Sequence, residues 1–125
     1  MTNITVVKLD GNKVEFTSHL GNGVALWCGE PPEVNKCYNV EFDVDDVFKW
    51  GWNINDVCQQ TPEIKMDGDG VLFVSEVISY ESDGVLTVSL GGRVIFLDVE
   101  SYPGGSKFVS FSTAIKNISL YPFEV

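Results

Sequence analysis

A chain of 125 residues with 44% apolar and 12% aromatic content is long enough to bury most of what its unfolded form exposes and too apolar for a disordered acidic tail. No stretch approaches the ~20 apolar residues of a membrane span, and the first residues lack the basic and apolar regions of a signal peptide. The net charge of −10 disfavours a polyanionic ligand, so the expectation is one cytoplasmic domain over residues 1–125 that meets a basic surface or a cation.

The predicted elements are nearly all β. Val, Ile, Thr, Phe and Tyr runs are broken by Gly, Asp, Asn or Pro at roughly 8–12-residue intervals, the spacing of an all-β barrel or sandwich. Strands are predicted at 2–9, 13–18, 23–28, 36–48, 70–80, 84–90, 93–99, 107–115 and 117–123. Asp10-Gly11-Asn12 and Ser82-Asp83-Gly84 supply residues that tolerate positive φ at turns. Gly91-Gly92 separates two apolar runs by the length of a tight hairpin. The one helix expected is short: Asn55 as cap, residues 56–60 as its body, and Thr61-Pro62 as its stop. A long strand, one short mid-chain helix and a later hairpin are compatible with an OB-like barrel, the oligonucleotide/oligosaccharide-binding type. A generic small barrel or sandwich fits equally. The last third of the chain, apolar and charge-balanced, is expected to supply central strands and most of the core.

Residues 38–52 are the richest segment. Tyr38, Val40, Phe42 and Val44 alternate with Asn39, Glu41, Asp43 and Asp45, which gives a strand with one apolar and one acidic face. Fifteen unbroken strand residues would reach about 50 Å at ~3.3 Å each, too long for a domain of this size, so the strand must break, and Asp45-Asp46 is where the pattern fails. Phe48, Trp50 and Trp52 continue the apolar series. They read either as core or as an aromatic platform beside the carboxylates, the combination found at protein interfaces.

The charge is concentrated around this segment. Residues 30–83 hold thirteen Asp and Glu against three Lys, a local balance of −10, and the flanks are neutral. Same-face carboxylates two positions apart repel one another. Where Lys or Arg does not relieve them, a basic partner supplies the countercharge. The candidate partner-binding residues are therefore Glu41, Asp43, Asp45, Asp46, Phe48, Trp50 and Trp52.

Other constellations are weaker. Asp67-Gly68-Asp69-Gly70 fails as an EF-hand start, because the sixth and twelfth positions are Leu72 and Ile78, and it reads as a turn. His19, Cys28, Cys37 and Cys58 lack zinc-module spacing. The cysteines read as small buried hydrophobes, and His19 as a turn residue. With one His, one Arg and no nucleophile or phosphate-loop motif, nothing assembles a catalytic site, metal site or cofactor site. The expectation is a binding protein rather than an enzyme.

In size, acidity and lack of a leader, the chain resembles the small acidic immunity proteins that neutralise cationic nuclease toxins in bacteria. A DNA-mimicking phage inhibitor shares that character. The resemblance lies in general character and carries no residue roles. It implies an inhibitor that occludes a basic protein; separately, the acidic balance disfavours nucleic acid and the lack of a long apolar stretch argues against a membrane. The competing expectation is an OB-type barrel for a saccharide or single-stranded nucleic acid.

Overall fold

A computed structural model describes residues 3–123; Thr2, where the first predicted strand begins, lies outside them. Twelve strands follow in chain order: β1 (Asn3–Asp10), β2 (Lys13–Ser18), β3 (Gly21–Trp27), β4 (Cys37–Val44), β5 (Val47–Lys49), β6 (Ile54–Asp56), β7 (Glu63–Asp67), β8 (Gly70–Tyr80), β9 (Val85–Leu90), β10 (Arg93–Glu100), β11 (Phe108–Ala114) and β12 (Ile118–Pro122). The only helical element among the described residues is a 3-10 turn at Ile115–Asn117. The protein is 64% strand and contains a closed five-stranded barrel with additional strands. Among the described residues no helix is long and apolar enough to cross a membrane.

The barrel closes as β1–β2–β3–β12–β4–β1. Every contact is antiparallel except β3–β12, where Ser119 pairs with Leu26 and Leu120 with Trp27 in parallel. This ring, with its single parallel closing pair, has the connectivity of an OB barrel. Its fourth and fifth strands are separated by residues 45–117, which build a second sheet. In that sheet β8 pairs with β7, β9 and β11, β9 pairs with β10, and β10 pairs in parallel with β5. The sheet curls until Trp50 bridges Ile54, which brings β5 against β6. The two sheets join where Gly21 meets Ile64. A side chain at Gly21 would collide with the Ile64 carbonyl, so only glycine fits that seam.

One continuous core runs through both sheets, from Val6, Phe16 and Phe42 in the barrel to Phe48, Phe73, Phe111 and Leu97 beyond it. Phe73 and Phe111 stack at 5.1 Å, and Phe42 meets Phe73 edge-on at 6.1 Å. Aromatic contact therefore ties the barrel to the second sheet.

Several expectations change against this architecture. The expected helix over 56–60 is absent. Ile54, Asn55 and Asp56 pair with Phe111, Ser110 and Val109 of β11 instead, because a helix of one turn cannot compete with a ready strand edge. The predicted 36–48 strand divides at Asp45-Asp46 into β4 and β5. Gly91 and Gly92 both take positive φ (58° and 89°) between paired Leu90 and Arg93, which is a type I′ hairpin. Cys37 and Cys58 are exposed and Cys28 is half-buried, all as free thiols, so the cysteines are not buried core.

Candidate functional site

β4 divides its residues by face. Val40, Phe42 and Val44 point into the core, and Glu41 and Asp43 point to solvent. The inward residues anchor the strand, so the outward carboxylates are held on a rigid element. On the neighbouring strand β12, Tyr121 lies opposite Glu41 and Ser119 opposite Asp43. Among the described residues the ion pairs are Lys8–Glu15 at 3.8 Å and Lys36–Glu33 at 3.1 Å, so neither reaches this stripe. The hydroxyl of Tyr121 is raised above the ordinary phenol value. The Cys28 sulfur is the main cause, by hydrogen bonding and by its negative charge when ionised, with burial and Asp43 adding to it and Ser119 opposing it. The phenol therefore stays neutral and able to donate well into alkaline solution.

The stripe borders a groove. Glu41, Phe42, Asp43 and Tyr121 form one wall and Val94, Ile95 and Phe96 of β10 the other, around about 330 Å³. Phe42 and Ile95 are buried at its floor; Val94 and Tyr121 are about half exposed, and Phe96 is 66% exposed on the rim. Asp98 continues the outward face of β10 beyond Phe96. The result is an apolar, aromatic strip between two carboxylate-bearing strands.

The hydrogen-bond pattern identifies the main-chain groups that border the groove. Phe123 N–H donates to the Asn39 carbonyl (3.2 Å) and Asp45 N–H to the Asn117 carbonyl (2.8 Å). These bonds fix the phase of the β4–β12 ladder, and by alternation the main chain of Phe42 points away from β12. On β10, Val99 N–H donates to the Gly84 carbonyl (2.9 Å), which points the main chains of Val94 and Phe96 away from β9. Among the described residues β1 pairs with β4 as far as Asn39, and β5 pairs with β10 from Asp98 onward. Between those limits the two edges face one another, and among the described residues no backbone bond joins them.

Past Val44 the predicted site residues separate. Asp45 remains exposed. Asp46 turns inward: one carboxylate oxygen accepts from the Thr113 hydroxyl at 2.7 Å and the other from the Val47 N–H at 2.8 Å. Thr113 also accepts from Asn117 Nδ2 at 3.1 Å, so Asp46 ties the break in the strand to β11 and the 3-10 turn. Phe48 is 0% exposed and packs edge-on against Phe111 at 5.4 Å; it cannot touch a partner. Trp50 is half-buried against Tyr102 at 5.2 Å. Trp52 is 75% exposed at the tip of the following turn. That turn is held by Asn53, whose Oδ1 accepts from Lys49 N–H (2.7 Å) and whose Nδ2 donates to the Val47 carbonyl (3.2 Å).

The candidate surface therefore keeps Glu41, Asp43, Asp45 and Trp52, loses Phe48 to the core, and assigns Asp46 and Trp50 mainly to structure. It gains Val94, Phe96 and Tyr121, which the sequence reading treated as strand and core. A signal for them was present. Val94-Ile95-Phe96-Leu97 is apolar on both faces, and an all-β fold has little to cover the second face of such a strand. Among the described residues no three His, Cys, Asp or Glu side chains gather as a metal site.

A second concavity of about 510 Å³ lies at one end of the barrel, walled by Trp27, Tyr38, Pro31, Pro122 and Phe123, with Glu30, Glu33 and Lys36 at its edge. Lys36 donates to Glu33 at 3.1 Å and sits 5.7 Å above the Tyr38 ring. The Glu33 carboxylate holds the Lys36 ammonium above its usual pKa.

Comparison of the chain with protein-family models, with characterised proteins and with solved structures yields no match.

Proposed function

We propose that this protein is an acidic protein-binding module, most concretely an immunity-type inhibitor that covers the working surface of a basic partner such as a nuclease toxin. One observation carries the reading. Exposed carboxylates without a cation among the described residues, Glu41 and Asp43, border a groove lined by Phe96, Val94 and Tyr121, and Asp45 stays exposed just beyond them in the chain. Aromatic anchors in an apolar strip carry affinity at protein interfaces, and the carboxylates around them speed encounter with a cationic surface. Trp52 stands as a separate exposed anchor on the β5–β6 turn. Inhibition would be steric: the module occupies the surface that the partner needs for its own substrate.

The test uses Asp43→Lys combined with Asp45→Lys. Tagged protein serves as bait in a native lysate, and a basic protein held by the wild type but not by the charge-reversed bait is purified. Its association rate at low salt falls on the order of tenfold or more with the variant, while the denaturation midpoint of the variant stays at the wild-type value. An unchanged association rate overturns the reading.

A second reading, an OB-type barrel that binds a saccharide, draws on the cleft of Trp27, Tyr38 and Phe123 at the barrel end. Aromatic walls suit sugar faces. The cleft has Lys36 as its cation, already engaged by Glu33, which disfavours single-stranded nucleic acid because phosphate contacts dominate that affinity. A glycan-array signal that disappears in Tyr38→Ala would favour this reading over the inhibitor.

A further inference from the structure

The groove between β4 and β10 presents more than charge. Its floor carries main-chain amides and carbonyls of Phe42, Val94 and Phe96 that face the gap between β4 and β10, which no backbone bond among the described residues bridges. Phe42 is 4% exposed, so its polar backbone is withdrawn from bulk solvent, and such groups call for a partner. Above the floor stand two carboxylates, Glu41 and Asp43, the Tyr121 hydroxyl and the exposed Phe96 ring. The groove thus combines anionic acceptors, neutral carbonyl acceptors and an aromatic face within one side chain's reach.

We infer that this groove receives an arginine side chain from the basic partner. The inference rests on the inhibitor reading and names the group that the site selects. A guanidinium is planar, always charged and carries five N–H donors in a fixed fork; it can meet two carboxylates, reach a carbonyl and stack on an aromatic ring at once. An ammonium is a compact, strongly hydrated point charge with three donors, and it gains less from the Phe96 face. A volume of about 330 Å³ admits one such side chain with its stem along Val94. Phe96 supplies the stacking surface, and Glu41 and Asp43 fix the fork.

The experiment compares a short oligoarginine with an oligolysine of equal length by calorimetric titration, at the same salt concentration, on the wild type, on Phe96→Ala and on Asp43→Asn. Phe96 is exposed, so its truncation spares the fold. The wild type should bind oligoarginine ~tenfold more tightly. Phe96→Ala should collapse that preference while leaving the oligolysine affinity unchanged, and Asp43→Asn should weaken both. Equal affinity for the two peptides in the wild type would overturn the arginine site and leave the acidic docking surface standing. A preference that survives Phe96→Ala would also overturn it, by placing the selectivity elsewhere. Absence of binding by either peptide overturns the arginine site as well; the inhibitor reading then stands or falls on its own charge-reversal test.

Discussion

The two halves of the 38–52 run look alike in sequence and do different work in the fold. Before Val44, alternation sets Val40 and Phe42 into the core and leaves Glu41 and Asp43 bare on the outside of the barrel. After it, the acid at position 46 falls on an inward position and is consumed by Thr113 and the Val47 amide, and the next aromatic is sealed against Phe111. A carboxylate three residues beyond a solvated one, on the opposite face of the alternation, is therefore not its equivalent. Whether an acidic residue serves a partner or the fold depends on which face the pleat gives it and on what hydroxyl or amide waits there.

Substitutions that treat the two halves identically break this comparison most directly. Phe48→Ala, in the structural half, should cost about 3–5 kcal/mol in a denaturant melt, whereas Trp52→Ala, four residues on and exposed, should stay within ~0.5 kcal/mol. Similar losses from both would show that the exposed turn is part of the core. Asp46→Ala should cost about 1–3 kcal/mol, because it strands a buried Thr113 hydroxyl and a backbone donor. Asp43→Ala should be close to neutral in the same measurement. The smallest effect is spectroscopic. Titration followed by phenolate absorbance should show Tyr121 ionising above the ordinary phenol value of 10.0. Cys28→Ala removes the main cause of that shift and should move the transition to lower pH; a transition that stays in place would remove Cys28 from the account.

Legibility in the sequence follows the same division. The bounds of β2 and β8 can be read from the turns that frame them, since Asp-Gly and Asn-bearing turns have few alternatives. β6 and β7 leave little trace: each places a single residue, Ile54 or Ile64, in the core; β6 shows no apolar alternation, and in β7 the alternation is limited to Ile64 and Met66, too short to identify a strand. Their pairing with β11 and β8 is a tertiary decision. The break at Asp45-Asp46 is visible as a fault in the pattern, but the Thr113 bond that resolves it comes from a strand far along the chain. Phe96 and Tyr121 were hidden for a different reason. Composition marks an aromatic in a strand as core, whereas the pleat places both on outward positions of β10 and β12.

The long excursion between the fourth and fifth barrel strands also sets an order of events. β12 must pair with β3 and β4 to close the ring, so the barrel stays open until nearly the whole chain is available. Contacts between such distant segments carry a large loop-closure cost, which places folding in the slow, millisecond-to-second range of topologies rich in long-range pairing. Until then the edges of β3 and β4 are bare templates for another chain. During synthesis, the interval before β12 arrives is the period in which this protein is most exposed to self-association, and a nascent-chain binding factor would have most to protect there.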